Sequence, residues 1–556
     1  MAWYDEAIFY HIYPLGLTGA PKKNDYGEPV HRLQTLMPWI DHLKKMEVTG
    51  LYIGPLFESV GHGYETTDYK KLDSRLGTNE DLTAFVKACH KKGIRVIFDG
   101  VFNHTGRDFF AFKDIQKNRE ASAYKDWYCN VNFGGNNEYG DGFSYDNWGG
   151  YNLLVKLNQR NPAVKEYICD VIRYWVAEFD IDGIRLDAAD VLDFEFMKEL
   201  RRTADAVKPD FWLMGEVIHG DYSRWANDRT LHSVTNYTLH KALYSGHNDH
   251  NYFEIAHTVN YTGGMISSNI KLYNFVDNHD VERIYTKLVD KGHYEPVHIL
   301  LYTLPGIPSV YYGSEFGIEG KKEKFSDDSL RPAIELKDHQ KDYTENACTR
   351  LIAALGRIHK EQPDLVHGDY RQLALTNCQY AFARGGLIVA VNNENKEAYL
   401  SVPAADGEYH GLLRGTKVQA AGGRLEIRLA ADSGEIFAPG GGAEDGKRQL
   451  EEPKKEPKKE PKKEPIEELK EKPVKVVKEE ERNEQPKEPV KEPVKEPVKE
   501  PVAVPAIPYE EMTVEQLQAA ILEKMAQRGP VTDRMRKDVE ENIWHNSLVN
   551  WVKSFN

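Results

Sequence analysis

Residues 164–187 read VKEYICDVIRYWVAEFDIDGIRLD. Residues 164–179 form an amphipathic helical stretch, and 183–187 form a short strand that follows it directly. Side chains alternate along a strand, so Arg185 and Asp187 share one face. The same rhythm extends in both directions. Upstream, 50–55 reads as a strand, 82–90 as a helix stopped near Gly93, and 95–99 as a strand. Downstream, 212–217, 272–276 and 309–312 continue the pattern. Strand–helix alternation of this length implies a parallel sheet. About eight strands over some 360 residues predict an α/β fold of the (β/α)8 TIM-barrel type, with insertions.

The remainder divides by texture. The barrel is expected over residues 1–370. Within it, 105–157 is rich in Gly, Asn, Tyr and Asp and too long for a simple loop, so it is read as an inserted subdomain after the third strand. Residues 371–440 become all-β, with strands at 388–391 and 424–429, as in a terminal antiparallel sandwich. From 441 to 507 the chain is dominated by Glu-Pro-Lys-Lys and Glu-Pro-Val-Lys blocks. Frequent proline forbids a helix there, and dense charge with few large apolar groups cannot build a core, so a disordered, extended linker is expected. Residues 508–556 regain helical signals. Thr513-Val514-Glu515-Gln516 has the form of a capping box, and Thr532-Asp533 is read as the start of a second helix. This small helical module is expected to bind a protein partner or to self-associate.

Bulk properties exclude several classes. The chain has 556 residues, with 72 Lys and Arg against 87 Asp and Glu, for a formal charge of −15. That balance argues against nonspecific binding to nucleic acid or anionic lipid. No apolar stretch is long enough to span a bilayer, so no membrane partner is expected. Five scattered cysteines form neither a disulfide framework nor a metal pair. The first residues lack the basic start and apolar run of a signal peptide, so a cytoplasmic location is expected.

In a parallel barrel the site forms at the C-terminal ends of the strands. The third strand ends Asp99-Gly100-Val101-Phe102-Asn103-His104. The fourth ends at Asp187, the fifth at Gly215-Glu216-Val217, and the seventh in Asp277-Asn278-His279-Asp280. Asp187, Glu216 and Asp280 are thereby aimed, with Arg185, at one mouth. These segments resemble the short motifs of glycoside hydrolase family 13, the α-amylase family. Residues 99–104 match its D-x-x-x-N-H, 183–187 its G-x-R-x-D, and 278–280 its N-H-D. Residues 63–69 resemble its G-Y-x-x-x-D-Y, and 306–313 its eighth strand. The resemblance covers about residues 5–440 and is similar in flavour to intracellular maltodextrin-acting α-glucosidase and neopullulanase-like members.

The resemblance implies a retaining glycosidase acting on α-glucan oligosaccharides. Asp187 would be the nucleophile, Glu216 the acid/base and Asp280 the third carboxylate, gripping sugar hydroxyls. Arg185 would keep Asp187 ionised and aimed. His104 and His279 would hydrogen-bond the sugar, Tyr64 would stack on it, and Asp99 would support the site from behind. No cofactor is required. Asn103 resembles a calcium ligand of many members, but Ala188-Ala189-Asp190 follows the nucleophile where calcium-dependent α-amylases often carry Lys-His. Calcium binding and a purely structural Asn103 both remain open, and no metal site is assigned. Transfer to a sugar acceptor, or a noncatalytic glucan-binding scaffold, are the alternatives to hydrolysis.

Overall fold

The computed structural model describes residues 2–440 except Phe325, residues 512–528, and the single residues Arg536, Val539 and Val552. The chain divides into two units, Met1–Glu456 and Pro457–Asn556. The 441–507 linker reading and most of the second terminal helix lie outside the described residues.

Eight parallel strands form the first unit's central sheet. They are β1 (Phe9–Ile12), β2 (Gly50–Ile53), β3 (Arg95–Gly100), β4 (Gly183–Leu186), β5 (Trp212–Gly215), β6 (Ser233–Val234), β7 (Tyr273–Phe275) and β8 (Ile307–Tyr311). Their order is β6-β5-β4-β3-β2-β1-β8-β7. The edges β6 and β7 nearly close on each other through a parallel bridge, Thr235 to Tyr273, and the Asn236 N–H donates to the Tyr273 carbonyl at 2.9 Å. The strand text at 183–187 acquires its neighbours by register: Arg185 lies opposite Asp99 on β3 and Met214 on β5.

Alternation within each strand sorts the residues. Outward-facing Ile53, Val96, Phe98, Ile184 and Leu213 join the core between sheet and helices. Phe9, Trp212, Tyr273 and Ile307 instead form an apolar floor inside the barrel, with Phe9 stacked on Trp212 at 5.0 Å. Above that floor the inward positions turn polar: His11, Asp99, Arg185 and Ser309. The helix Pro162–Phe179 shows how the outer layer is set. Asn161 caps it by accepting from the Ala163 N–H, Pro162 fills its first position, and Asp180 ends it in the left-handed region at φ 56°. Its Trp175 is fully buried and stacks on Phe57 at 4.5 Å.

Between β3 and β4, the strands His104–Gly106, Tyr151–Lys156 and Asn147–Trp148 make a separate antiparallel sheet. After the barrel come β9 (Tyr370–Leu375), β10 (Gln379–Arg384), β11 (Leu387–Asn392), β12 (Ala398–Pro403), β13 (Gly407–Gly411), β14 (Lys417–Ala420), β15 (Arg424–Leu429) and β16 (Ser433–Pro439). Six form an antiparallel sheet in the order β9-β10-β11-β16-β13-β14, and β12 pairs with β15. Val402, Leu425 and Ile427 of that pair pack on Ala381, Ile388 and Phe437 of the larger sheet. Buried Arg384 fastens this domain to the barrel, donating to the carbonyls of Thr303 at 2.6 Å and Leu365 at 2.8 Å. In the second unit the helix Val514–Arg528 starts at a reciprocal cap: the Thr513 N–H donates to Gln516 Oε1, and the Gln516 N–H to Thr513 Oγ1. Leu517 and Ile521 are its buried face.

One contact links this frame to the strand mouths. A Cβ on Gly54, just past β2, would lie 2.4 Å from Asp99 Cβ and 3.0 Å from its backbone nitrogen. Gly54→Ala is therefore expected to cost about 1–3 kcal/mol as an overpacked contact and to displace Asp99. A lowered melting temperature together with lowered turnover is the expected result; wild-type values for both would show that the mouth tolerates the extra methyl.

Candidate active site

The mouth is organised around Arg185, whose side chain is 3% exposed. One nitrogen, Nη1, donates to Asp99 Oδ1 at 2.8 Å and to Asp187 Oδ1 at 2.9 Å. The other, Nη2, lies 2.8 Å from Glu216 Oε2. Strand register puts Asp99 beside Arg185, alternation puts Asp187 two residues on, and β5 delivers Glu216 just past its end. Asp99 receives two more hydrogen bonds at Oδ2, from the Tyr52 hydroxyl at 2.9 Å and the Tyr64 hydroxyl at 3.0 Å. It is 3% exposed and sits below the opening. Glu216 is held from two further sides. The Ala188 N–H donates to Oε2 at 3.1 Å, and the Tyr237 hydroxyl donates to Oε1 at 3.2 Å. Asn278 Nδ2 in turn donates to the Tyr237 oxygen at 3.0 Å.

Asp280 stands across the opening with its side chain 37% exposed. Arg331 Nη2 donates to its Oδ1 at 2.7 Å, and His279 Nε2 lies 3.1 Å from its Oδ2. Arg331 also donates to the His279 carbonyl at 2.9 Å and lies over the Tyr13 ring at 4.7 Å. Tyr64 bonds His279 through its hydroxyl and lies nearly parallel to the imidazole, at 14° and 5.6 Å.

The charges explain the titration. Asp99, Asp187, Glu216 and Asp280 face the two guanidiniums of Arg185 and Arg331, with His279 beside Asp280. Burial pushes the Asp187 carboxyl well above the usual carboxylate range; Arg185 opposes this, and the charges of Glu216, Asp99 and Asp280 add to it. Burial would also raise Asp280, but His279 and Arg331 outweigh it and hold that carboxyl well below the usual range. The mouth thus sets a carboxyl whose proton is hard to remove beside one that stays ionised.

The structure therefore brings Asp99, Arg185, Asp187, Glu216, Asp280, Tyr64 and His279 together. His104 stands beside them with both ring nitrogens engaged. His104 is 1% exposed, its Nε2 donates to the Tyr64 carbonyl at 3.1 Å, and Asn103 Nδ2 donates to its Nδ1 at 3.2 Å. A sugar hydroxyl would have to displace one of these partners. Burial lowers this imidazole to about 3, so it is neutral. Asn103 is fully buried, and its Oδ1, the atom a cation would need, accepts from Gln159 Nε2 at 3.3 Å. Sequence reasoning missed Tyr52, Tyr237 and Arg331. Tyr237 follows β6, a strand of two residues with too little text to announce itself. Arg331 lies in an irregular loop beyond β8, where no periodicity marks it.

A family model described as alpha amylase, catalytic domain, matches residues 23–364. The chain belongs to the α-amylase family. It is accordingly a glycosidase. It is 30% identical over 455 residues to a cyclomaltodextrinase of Thermoanaerobacter pseudethanolicus, covering 77% of this chain and 76% of that one. It is 30% identical over 476 residues to neopullulanase 2 of Thermoactinomyces vulgaris, covering 78% of each. Among solved structures, Ttha1563 from Thermus thermophilus superposes with a TM-score of 0.70 at 28% identity, over 79% of this chain and all of that one.

Two substitutions test the geometry of this family member. Arg331→Met removes a cation that holds Asp280 down, so the acid limb of kcat/KM moves to higher pH. At neutral pH kcat/KM falls by about tenfold or more, the worth of a charged hydrogen bond. An unmoved acid limb would separate Arg331 from Asp280. Tyr237→Phe removes a donor to Glu216, and a fall of about fivefold in kcat/KM is expected; unchanged kinetics would show that the hydroxyl is idle.

Proposed function

We propose that this glycosidase hydrolyses α-glucosidic bonds of maltodextrin or related α-glucan oligosaccharides, α-1,4 foremost and α-1,6 as a second linkage, by double displacement. The observation that carries the reading is the single Arg185 fork holding Asp187 and Glu216. Retention needs its two carboxyl groups roughly 5 Å apart, whereas inversion needs roughly 6.5–9.5 Å to admit a water between them. Two carboxylates on adjacent nitrogens of one guanidinium favour the shorter spacing. The relatives named cyclomaltodextrinase and neopullulanase support the substrate class.

In this mechanism Asp187 attacks the anomeric carbon while Glu216 protonates the departing glycosidic oxygen. This step needs the proton on Glu216 and an ionised Asp187; burial favours the protonated form of Asp187 in the empty mouth, and Arg185 opposes it, so the step depends on sugar binding to shift that balance. Ionised Asp280 holds hydroxyls of the distorted ring. Glu216, now a carboxylate, then takes a proton from water, which cleaves the glycosyl–Asp187 ester and regenerates both groups. No step requires a cofactor. A noncatalytic scaffold would have no need for this set of buried, mutually constrained carboxylates. A cytoplasmic location is part of the proposal, supported by the 32% identity over 297 residues to the intracellular maltogenic amylase of Bacillus subtilis.

Asp187→Asn should lower kcat on maltooligosaccharides on the order of 10⁴-fold. Proton NMR of the first product formed by the wild type should show the α-anomer. A β-anomer, or full turnover by Asp187→Asn, would refute the mechanism. Products from maltotriose, pullulan, isomaltose and cyclodextrin fix the linkage; products longer than maltotriose would identify a transglycosylase.

A further inference from the structure

Between the apolar floor and the mouth, two imidazoles each keep one nitrogen without a partner. His11 stands on β1 and is 3% exposed. Its ring lies flat against Tyr52, at 4.0 Å and 14°, and meets the His279 ring at 5.1 Å and 89°. Its Nε2 is buried with no hydrogen bond. His279, just beyond β7, is 1% exposed, and its Nδ1 is likewise buried and unpartnered. The other nitrogen of His279, Nε2, faces the Tyr64 oxygen and Asp280 Oδ2.

Both rings line one cavity of about 20 Å³, together with Arg185, Glu216, Asn278 and Ser309. A single water needs roughly 10–15 Å³ and two to four polar partners. A sugar ring is far larger, so the space suits one water. Native proteins satisfy nearly all buried polar atoms, with protein groups or water. The state of each ring follows from its surroundings. The Tyr64 hydroxyl donates to Asp99 Oδ2, and Asp280 is a carboxylate, so both neighbours of His279 Nε2 accept. The His279 proton therefore belongs on Nε2, and in the neutral ring Nδ1 is a lone pair in need of a donor. Burial holds His11 well below the ordinary histidine range, and His279 and Arg185 add to the effect, so His11 is neutral. The remaining titratable or charged groups around His11 are Tyr52, Asp280, Arg283 and Tyr311.

We propose that His11 is a positioning residue acting through one buried water, which bridges His11 Nε2 and His279 Nδ1 and keeps the His279 proton on Nε2. The water donates one hydrogen to His279 Nδ1 and meets His11 Nε2 on its other side. That fixes the tautomer whose Nε2–H points at Asp280 Oδ2, 3.1 Å away. The hydrogen bond made by one imidazole nitrogen sets which nitrogen carries the proton. Without the bridge the proton is free to move to Nδ1. Nε2 then turns a lone pair toward the Asp280 carboxylate. Against burial, His279 is foremost among the groups that hold that carboxyl down, and this hold is weakened. The inference rests on the reading of Asp280 as an ionised carboxylate that holds the sugar.

The test uses the full-length chain. His11→Phe keeps a flat ring on Tyr52 but offers the water no nitrogen, whereas His11→Gln places an amide close to where Nε2 stands. His11→Phe should lower kcat/KM on maltooligosaccharides at neutral pH by about three- to tenfold, the range of one hydrogen bond. Its acid limb should also move to higher pH, because a carboxyl less firmly held down takes up its proton sooner as pH falls. His11→Gln should recover most of the activity and the wild-type limb. An unmoved limb in His11→Phe, or equal losses in both variants, overturns the proposal. Side-chain nitrogen NMR of histidine-labelled wild type reads the tautomer without any turnover, with the His279 signals assigned by their loss in His279→Gln. A proton on Nε2 is expected. A bare Nε2 beside a protonated Nδ1 overturns the proposal, even where His11→Phe fails to fold. Failure of the retaining mechanism would show instead in Asp187→Asn and would leave the tautomer readout standing.

Discussion

A single buried guanidinium holds the centre of this molecule. Arg185 contacts Asp99, Asp187 and Glu216, so three carboxylates from three strands share one cation. Placing these charges out of water is costly, and removing one partner of a buried pair typically costs about 3–5 kcal/mol because the other is left uncompensated. The arrangement persists only while β3, β4 and β5 keep their register, which sets Asp99 opposite Arg185 and ends β5 at Glu216. The barrel is therefore more than a scaffold. Its hydrogen-bond ladder fixes the charge geometry to within a residue, and a slip would send every side chain to the opposite face.

The three carboxylates are held unequally. Asp99 is tied down by Tyr52 and Tyr64 as well as by Arg185, so it acts as a fixed counter-charge. Asp187 and Glu216 lie nearer the opening, and burial, with neighbouring carboxylates adding to it, makes a proton hard to remove from Asp187. Asp280 answers to a different cation, Arg331, and to His279. Two guanidiniums thus divide the mouth into a side where burial favours a protonated Asp187 and a side where Asp280 stays ionised. Below both, the apolar floor of Phe9, Trp212 and Tyr273 excludes water from the barrel and strengthens these interactions.

Much of this was legible before any coordinates. The change from helical to strand spacing at residue 183 located β4, and alternation alone put Arg185 and Asp187 on one face. The strand-end motifs located Asp99, Glu216 and Asp280, because a parallel barrel presents the C-terminal ends of its strands at one rim. What escaped was short or irregular. β6 has two residues and Arg331 has no strand at all, so no periodicity could mark Tyr237 or Arg331. The position of His104 near the mouth was readable, but not that Tyr64 and Asn103 would meet its nitrogens.

By itself, the sequence determined the alternation of strands and helices, the family and the carboxylates at the strand ends. These are local patterns, carried by residues close together in the chain. Only the tertiary structure decided that one arginine would bind three of those residues, and that a loop arginine from beyond β8 would hold Asp280. It also decided that Asp290, His293 and Asp432 would meet across two domains. Each of these depends on at least one contact between residues far apart in sequence. Such contacts depend on register and closure of the barrel and on how the sheet docks against it, and neither is a property of any single stretch of chain.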